Sequence, residues 1–148
     1  IGSLQQYHSL KSDFLVAESV LRTLPDRLQK QQDAFSHTGG LHASALFDQQ
    51  GSILGLYEDV GRHNALDKLI GSELQKNNLP LLECGLILSG RTSFELIHKA
   101  ALAGIPLVVS IGAPSSLAID AAWEYEITLA GFLQTDRFNI YSFPRRIK

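Results

Sequence analysis

GLILSGRTSFELIHKAALAGIPLVVSI, residues 85–111, decides the fold. Gly85 to Leu88 is short and wholly apolar, as expected of a strand covered on both faces. Ser89-Gly90-Arg91-Thr92-Ser93 interrupts it and opens a helix that reaches Ala103. Gly104 takes the position just past that helix end, where a left-handed backbone is usual. Pro106 to Ile111 is a second apolar strand. Strands separated by helices of roughly 10–15 residues pair in parallel, because the crossover carries the chain back over one face.

Working outward, the same grammar repeats. Ala113-Pro114-Ser115-Ser116 opens a helix to about Tyr125. Ile127 to Ala130 is a strand, Phe132 to Arg137 a loop, and Asn139 to Phe143 a last strand. Upstream, Leu41 to Phe47 and Ile53 to Tyr57 are strands around the turn Asp48-Gln49-Gln50-Gly51-Ser52, a hairpin. Glu58-Asp59-Val60-Gly61 leads into a helix from Arg62 to Lys76 with Ala65, Leu66, Leu69, Ile70 and Leu74 as its apolar face. Ser12 is expected to cap a first helix carrying Leu15, Val16, Ser19 and Val20 on one face. Thr23-Leu24-Pro25-Asp26 starts a second, to about Phe35. The fold class predicted is α/β: three layers, α/β/α, around a mixed, mainly parallel sheet. Residues 1–35 are N-terminal helices packed on a domain of residues 36–148, one domain overall.

The bulk properties agree. With 148 residues, 45% hydrophobic and 19% charged, the chain can bury one core. A formal charge of −2 gives no nucleic-acid or membrane footprint. No apolar run approaches the ~20 residues needed to span a bilayer. A single cysteine, Cys84, excludes an internal disulfide framework, and the cytoplasm is the expected compartment. The chain starts at Ile1 and contains no methionine, which is read as the inside of a longer protein.

In such sheets ligands sit where strands end and helices begin. Three loops there are rich in Gly, Ser or charge. Asp59, Gly61, Arg62, His63 and Asn64 cluster at one helix N-terminus, whose free N–H groups favour anions. Ser89, Gly90 and Arg91 form a strand–Gly–helix turn, with a planar guanidinium for an oxyanion. It is no Walker loop, since G-x-x-x-x-G-K is absent. Glu95 and Lys99, four apart, suit a simple ion pair. Gly112-Ala113-Pro114-Ser115-Ser116 permits close approach but also suits a plain helix cap. Thr38, Gly39, Gly40 and His42 add a flexible turn and a candidate pocket histidine. No metal ligands are expected: the histidines at 8, 37, 42, 63 and 98 form no His-x-x-x-His or His-x-Glu pair, and the deaminase zinc pattern of H-x-E with P-C-x-x-C is missing. Cys84, beside a buried strand, reads as a small hydrophobe.

Thr38–Ala45, Glu58–Lys68, Ser89–Leu96, Leu129–Phe132, Arg137–Tyr141 and Pro144–Ile147, in that order, resemble the FdhD family of formate dehydrogenase accessory sulfurtransferases, over roughly residues 35–147. The resemblance implies a cytidine-deaminase-like fold without its zinc site. It implies a cytoplasmic protein, a likeness that includes a homodimer, taking sulfur from a cysteine desulfurase as a persulfide. The sulfur passes to the molybdenum or tungsten of a Mo-bis(molybdopterin guanine dinucleotide)-type cofactor that formate dehydrogenase uses. The cofactor is held through its guanine nucleotide portion, in part by Phe132, Leu133, Gln134, Thr135, Asp136 and Arg137. The family's persulfide cysteine lies in a C-G-x-C-G-like loop, which this sequence does not contain. These residues are therefore expected to bind cofactor without transferring sulfur. A cofactor-presenting chaperone and a deaminase-like hydrolase are the alternatives.

Overall fold

A computed structural model describes residues 12–35 and 41–148 of the chain. The elements are α1 (Glu18–Leu21), α2 (Leu24–Phe35), β1 (His42–Phe47), β2 (Ile53–Asp59), α3 (Arg62–Gln75), β3 (Gly85–Leu88), α4 (Phe94–Leu102), β4 (Leu107–Ser110), α5 (Ser116–Glu124), β5 (Thr128–Gly131) and β6 (Asn139–Ser142). A 3-10 turn, Pro144–Arg146, follows. The six strands form one sheet in the order β2-β1-β3-β4-β5-β6.

The sheet is mixed, as the sequence predicts, but its balance differs. Only β3, β4 and β5 run parallel; β1 pairs antiparallel with both β2 and β3, and β6 antiparallel with β5. The reason is local. Helical crossovers link β3 to β4 and β4 to β5, whereas the β1–β2 and β5–β6 connections are too short to cross back.

Each sheet face buries a separate core. Leu86, Leu88, Val108 and Leu129 meet α3, α4 and α5 through Leu66, Leu69, Leu96, Ile97, Ala118 and Ala122. Ile87, Val109, Ala130, Ala45 and Phe47 turn the other way, onto Phe14, Val16, Leu21, Leu24 and Leu28. Alternation of odd and even strand residues between two helical layers is the strand period at work. It gives the three layers predicted.

The expected first helix is mostly absent. Residues 12–17 lie outside any helix and only Glu18–Leu21 is helical. Phe14 and Val16, two apart, are the buried pair, not Leu15 and Val16 on a helical face. Ser12 caps nothing; its hydroxyl donates to the Leu82 carbonyl and accepts from Phe14 N. The partner that wins is far along the chain: Val16 N donates to Arg146 O at 3.0 Å and Lys148 N to Val16 O at 2.9 Å. In α3 the predicted apolar face holds at Ala65, Leu66 and Leu69, but Leu74 near its end is 60% exposed. Lys99 of α4 pairs with Asp67 of α3 at 2.8 Å rather than with Glu95.

Candidate functional site

The C-terminal ends of β2, β3, β4 and β5 and the start of β1 share one edge of the sheet, since His42 pairs with Asp59 and Ser44 with Leu88. The loops leaving that edge are stitched together by backbone bonds. Ser89 N donates to Ala43 O, Gly112 N to Gly90 O, Thr92 N to Ala113 O, Ser115 N to Thr92 O and Phe132 N to Gly112 O, all at 3.0–3.1 Å. The stitching requires small residues. A Cβ on Gly112 would lie 2.9 Å from Gly90 O and 3.2 Å from Arg91 Cγ.

A cavity of about 270 Å³ opens between these loops. Its lining comes from Arg62 at the start of α3, from Arg91, Thr92 and Ser93 after β3, and from Ala113, Pro114 and Ser115 after β4. Three helix N-termini border it, because Arg62 opens α3, Ser93 is the N-cap of α4 and Ser115 the N-cap of α5. Ser93 and Ser115 each cap with their side chains, accepting from Leu96 N and Ala118 N. Gly61, the N-cap of α3, has no side chain to offer, so the first-turn N–H groups of α3 stay available to an anion.

The charges agree. No carboxylate among the described residues forms an ion pair with Arg62 or Arg91. Every other arginine has a partner: Arg22 with Glu18, Arg27 with Gln50 O, Arg137 with Asp136, Arg145 over Phe143, and Arg146 with backbone carbonyls. Arg62 Nε and Thr92 Oγ1 are buried without a hydrogen-bond partner. Two guanidinium groups without carboxylate partners, lining one cavity, have the chemistry to hold an oxyanion.

The structure sorts the predicted residues. Arg62 and Arg91 meet in the cavity. His42 lies beside Gly90, its ring nitrogen 3.2 Å from where a Cβ there would be, so the Gly90 turn and the histidine strand converge. Asp59, Asn64 and Gly61 build the α3 entry: Asp59 Oδ1 accepts from Gly61 N at 3.0 Å and from Asn64 Nδ2 at 3.5 Å. Lys68 Nζ, 2.8 Å from Asp59, helps hold that carboxyl down at about 2. Ser89 is used internally, accepting from Ala43 N at 2.8 Å. His63 sits half-buried in the first turn of α3.

Leu133 turns its side chain away from the other residues of its loop. It is 1% exposed and packed in the core with Val109 and Ala130, because Leu133 N bonds back to Ser110 O and draws the side chain inward. Phe132, Gln134, Thr135, Asp136 and Arg137 are exposed on the same edge but outside the cavity, with Arg137 Nη1 3.8 Å from Asp136. Thr38, Gly39 and Gly40 lie outside the described residues. Thr92, Ser93, Ala113, Pro114 and Ser115 were not among the residues predicted to bind. The loop Gly112–Ser116 reads as a plain helix cap, and Ser115 is one; Ser93 caps α4 in the same way, and only the packing of two loops reveals that the caps share a cavity.

Cys84 is remote from this edge. It precedes β3 at the opposite end of the strand, beside Glu73 and Leu81 in a separate cavity of about 570 Å³. Burial, helped by the Glu73 and Glu83 charges, pushes its thiol up to about 11. Among the described residues no three His, Cys, Asp or Glu side chains gather to hold a metal ion. No helix there is long and apolar enough to cross a membrane.

Known proteins give this geometry a family. A protein of Desulfotalea psychrophila described as a formate dehydrogenase accessory protein has a crystal structure that superposes with a TM-score of 0.81 at 28% identity, over 93% of this chain and 61% of that one. Guanine deaminase from Nitrosomonas europaea superposes with a TM-score of 0.58 at 12% identity, over 84% of this chain and 82% of that one, which shows a shared deaminase-like fold alone. A sulfur carrier protein FdhD from Streptomyces avermitilis is 52% identical over 86% of this chain and 45% of its own length. One from Sulfolobus acidocaldarius is 47% identical over 99% of this chain and 58% of its own. The chain thus spans about half the length of the curated relatives it matches. The family model described as FdhD/NarQ matches residues 2–148, and the chain belongs to the FdhD/NarQ family.

Proposed function

We propose that these residues form the cofactor-binding part of a sulfur carrier that sulfurates a molybdenum or tungsten bis-pterin guanine dinucleotide cofactor for formate dehydrogenase. The reading rests on one observation: two guanidinium groups without carboxylate partners line a cavity at which three helix N-termini converge. An anion gains from both, through charge-assisted bonds and through the aligned helix dipoles. The phosphates of a guanine dinucleotide fit that chemistry. The family resemblance supplies the sulfur: a cysteine desulfurase hands it over as a persulfide and formate dehydrogenase is the client, in the cytoplasm, with a homodimer as the working form.

Sulfur transfer requires a nucleophilic thiolate. Cys84 is a poor candidate, since a thiol raised to about 11 is almost wholly protonated at neutral pH. The persulfide is therefore assigned to a cysteine outside these 148 residues. Two measurements test this. Guanosine diphosphate titrated into the chain should bind, and Arg62→Ala and Arg91→Ala should each weaken it by ~1.5–3 kcal/mol, the usual worth of a hydrogen bond to a charged group. Arg137, which lies outside the cavity and faces Asp136, should matter less. Unchanged affinity in both cavity variants removes the site. Sulfur transfer by these 148 residues alone, lost in Cys84→Ser, would remove the assignment of the persulfide. A persulfide trapped on the longer protein distinguishes a carrier from a chaperone that only presents cofactor.

A further inference from the structure

A helix on the outside of a three-layer fold is expected to turn charged and polar side chains to water. α4 and α5 depart from that. Both bury one face in the core, through Leu96, Ile97 and Ala100 of α4 and Ala118, Ala121 and Ala122 of α5. On their outer side Phe94, Leu102, Leu117 and Trp123 stay 41%, 37%, 65% and 51% exposed. These are four of the nine large apolar side chains left exposed among the described residues, on two helices of nine residues each. The helices touch: His98 Nδ1 lies 3.2 Å from the hydroxyl of Tyr125, the C-cap of α5, and the Phe94 ring stacks on His98 at 6.1 Å. The four groups therefore share the outer surface of one helix pair, and apolar side chains gathered in this way mark an interaction surface.

Charge decides the partner. Glu95, Asp120 and Glu124 are exposed on the same two helices, and none forms an ion pair among the described residues. Lys99, the one Lys or Arg that the two helices carry, is held by Asp67 at 2.8 Å. Trp123 rests against Phe143 at 5.7 Å, where Arg145 is placed over the ring at 5.0 Å. Glu124 sits in the last turn of α5, where the helix dipole disfavours an anion. A second copy meeting this face by two-fold symmetry would set carboxylates against carboxylates, which costs affinity. A cationic partner is the complement. Shape agrees, since two adjacent helices of about 13 Å present an elongated surface suited to an amphipathic helix.

We propose that the outer face of α4 and α5 is a docking surface for a basic amphipathic helix of a partner protein. The apolar stripe of that helix covers Phe94, Leu102, Leu117 and Trp123, and its Lys or Arg groups pair with Glu95, Asp120 and Glu124. The surface is separate from the cavity that Arg62 and Arg91 line, and the proposal stands or falls without the nucleotide-binding reading.

Trp123 is the single tryptophan of the chain, so its emission reports on this face alone. The probes are two synthetic amphipathic helices of equal length with the same leucine stripe, one flanked by lysines and one by glutamates. Titrated into the 148-residue chain, the lysine peptide should shift Trp123 emission to the blue and bind at least ~10-fold more tightly than the glutamate peptide. Added salt should narrow that difference. Leu117→Ser should weaken the lysine peptide by ~10-fold. Asp120→Lys with Glu124→Lys should reverse the preference between the peptides. All three positions are exposed, and circular dichroism shows whether the variants stay folded. Equal binding of the two peptides on the unaltered chain overturns the proposal, a result that needs no variant. So does a lysine peptide whose affinity neither variant changes. A blue shift that grows with chain concentration alone gives the face to a second copy. Trp123 closed to an added quencher in the longer protein gives it to the rest of that chain. Either result overturns the assignment to a basic partner.

Discussion

Asp59 shows what one carboxylate does at the mouth of the site. It binds Gly61 N, Asn64 and Lys68 together, so the chain enters α3 in one conformation with Arg62 in place. The Lys68 hydrogen bond is the main cause of its lowered value, about 2 against the usual 3.8, with the Gly61 amide next. A carboxyl lowered on folding stabilises fully above its unfolded value, and the gain is lost as pH falls through the folded one. Melting temperatures of the unaltered chain and Asp59→Asn should therefore differ most at neutral pH and converge towards about pH 2. A gap that stays constant on acidification would show that the carboxylate's charge is not what holds the turn. The sequence made Asp59 a candidate ligand contact. The fold also makes it an internal fastener, held by Lys68 in the second turn of α3, a pairing that sequence spacing alone leaves undecided.

At the scale of elements, the site depends on how tightly the loops after β3 and β4 lie together. Gly112 is where that is decided, since a side chain there meets backbone rather than a movable tip. Gly112→Ala should separate the two loops, costing ~1–3 kcal/mol in stability as overpacking does. It should also weaken guanosine diphosphate binding, through Arg91 and Thr92 together. Chemical denaturation and the same titration check both; full binding in a destabilised variant would uncouple the loop contact from the site. Helix and strand positions were legible where periodicity or punctuation was strong, as with Gly104, whose φ of 80° is the left-handed C′ position expected after α4. The failure at residues 12–17 has a clear cause. Asp13-Phe14-Leu15-Val16 satisfies a short strand as well as a helix, and a strand partner arrived from the C-terminus.

For the whole molecule, the last residues close the structure. Arg146 is 2% exposed, and its Nη1 donates to Pro106 O at 3.1 Å and Glu126 O at 2.6 Å, at the starts of β4 and β5. Burial lowers its value to about 10, still charged at neutral pH. The same backbone carries Val16 across from the N-terminal side. Arg146→Leu strips buried carbonyls of a charged donor, so a loss of ~2–4 kcal/mol in unfolding free energy is expected. A variant as stable as the parent would mean that water replaces the guanidinium. Nucleotide affinity should change little in the surviving folded fraction, because Arg146 lies at the edge opposite the cavity.

The alternation of apolar strands with helices, the glycine punctuation and the separated motif blocks were enough to determine the α/β class, the family, and that Arg62 and Arg91 belong to one edge. These are local or ordered features, and a linear sequence carries them. Pairing beyond the first hairpin was decided only in three dimensions: β1 antiparallel to β3, Val16 against Ile147, Leu133 turned into the core, Ser89 consumed by Ala43, and Thr92 left with a hydroxyl that has no acceptor. Each of these depends on which distant group reaches a polar atom or an apolar face first, and that competition is settled by packing rather than by spacing along the chain.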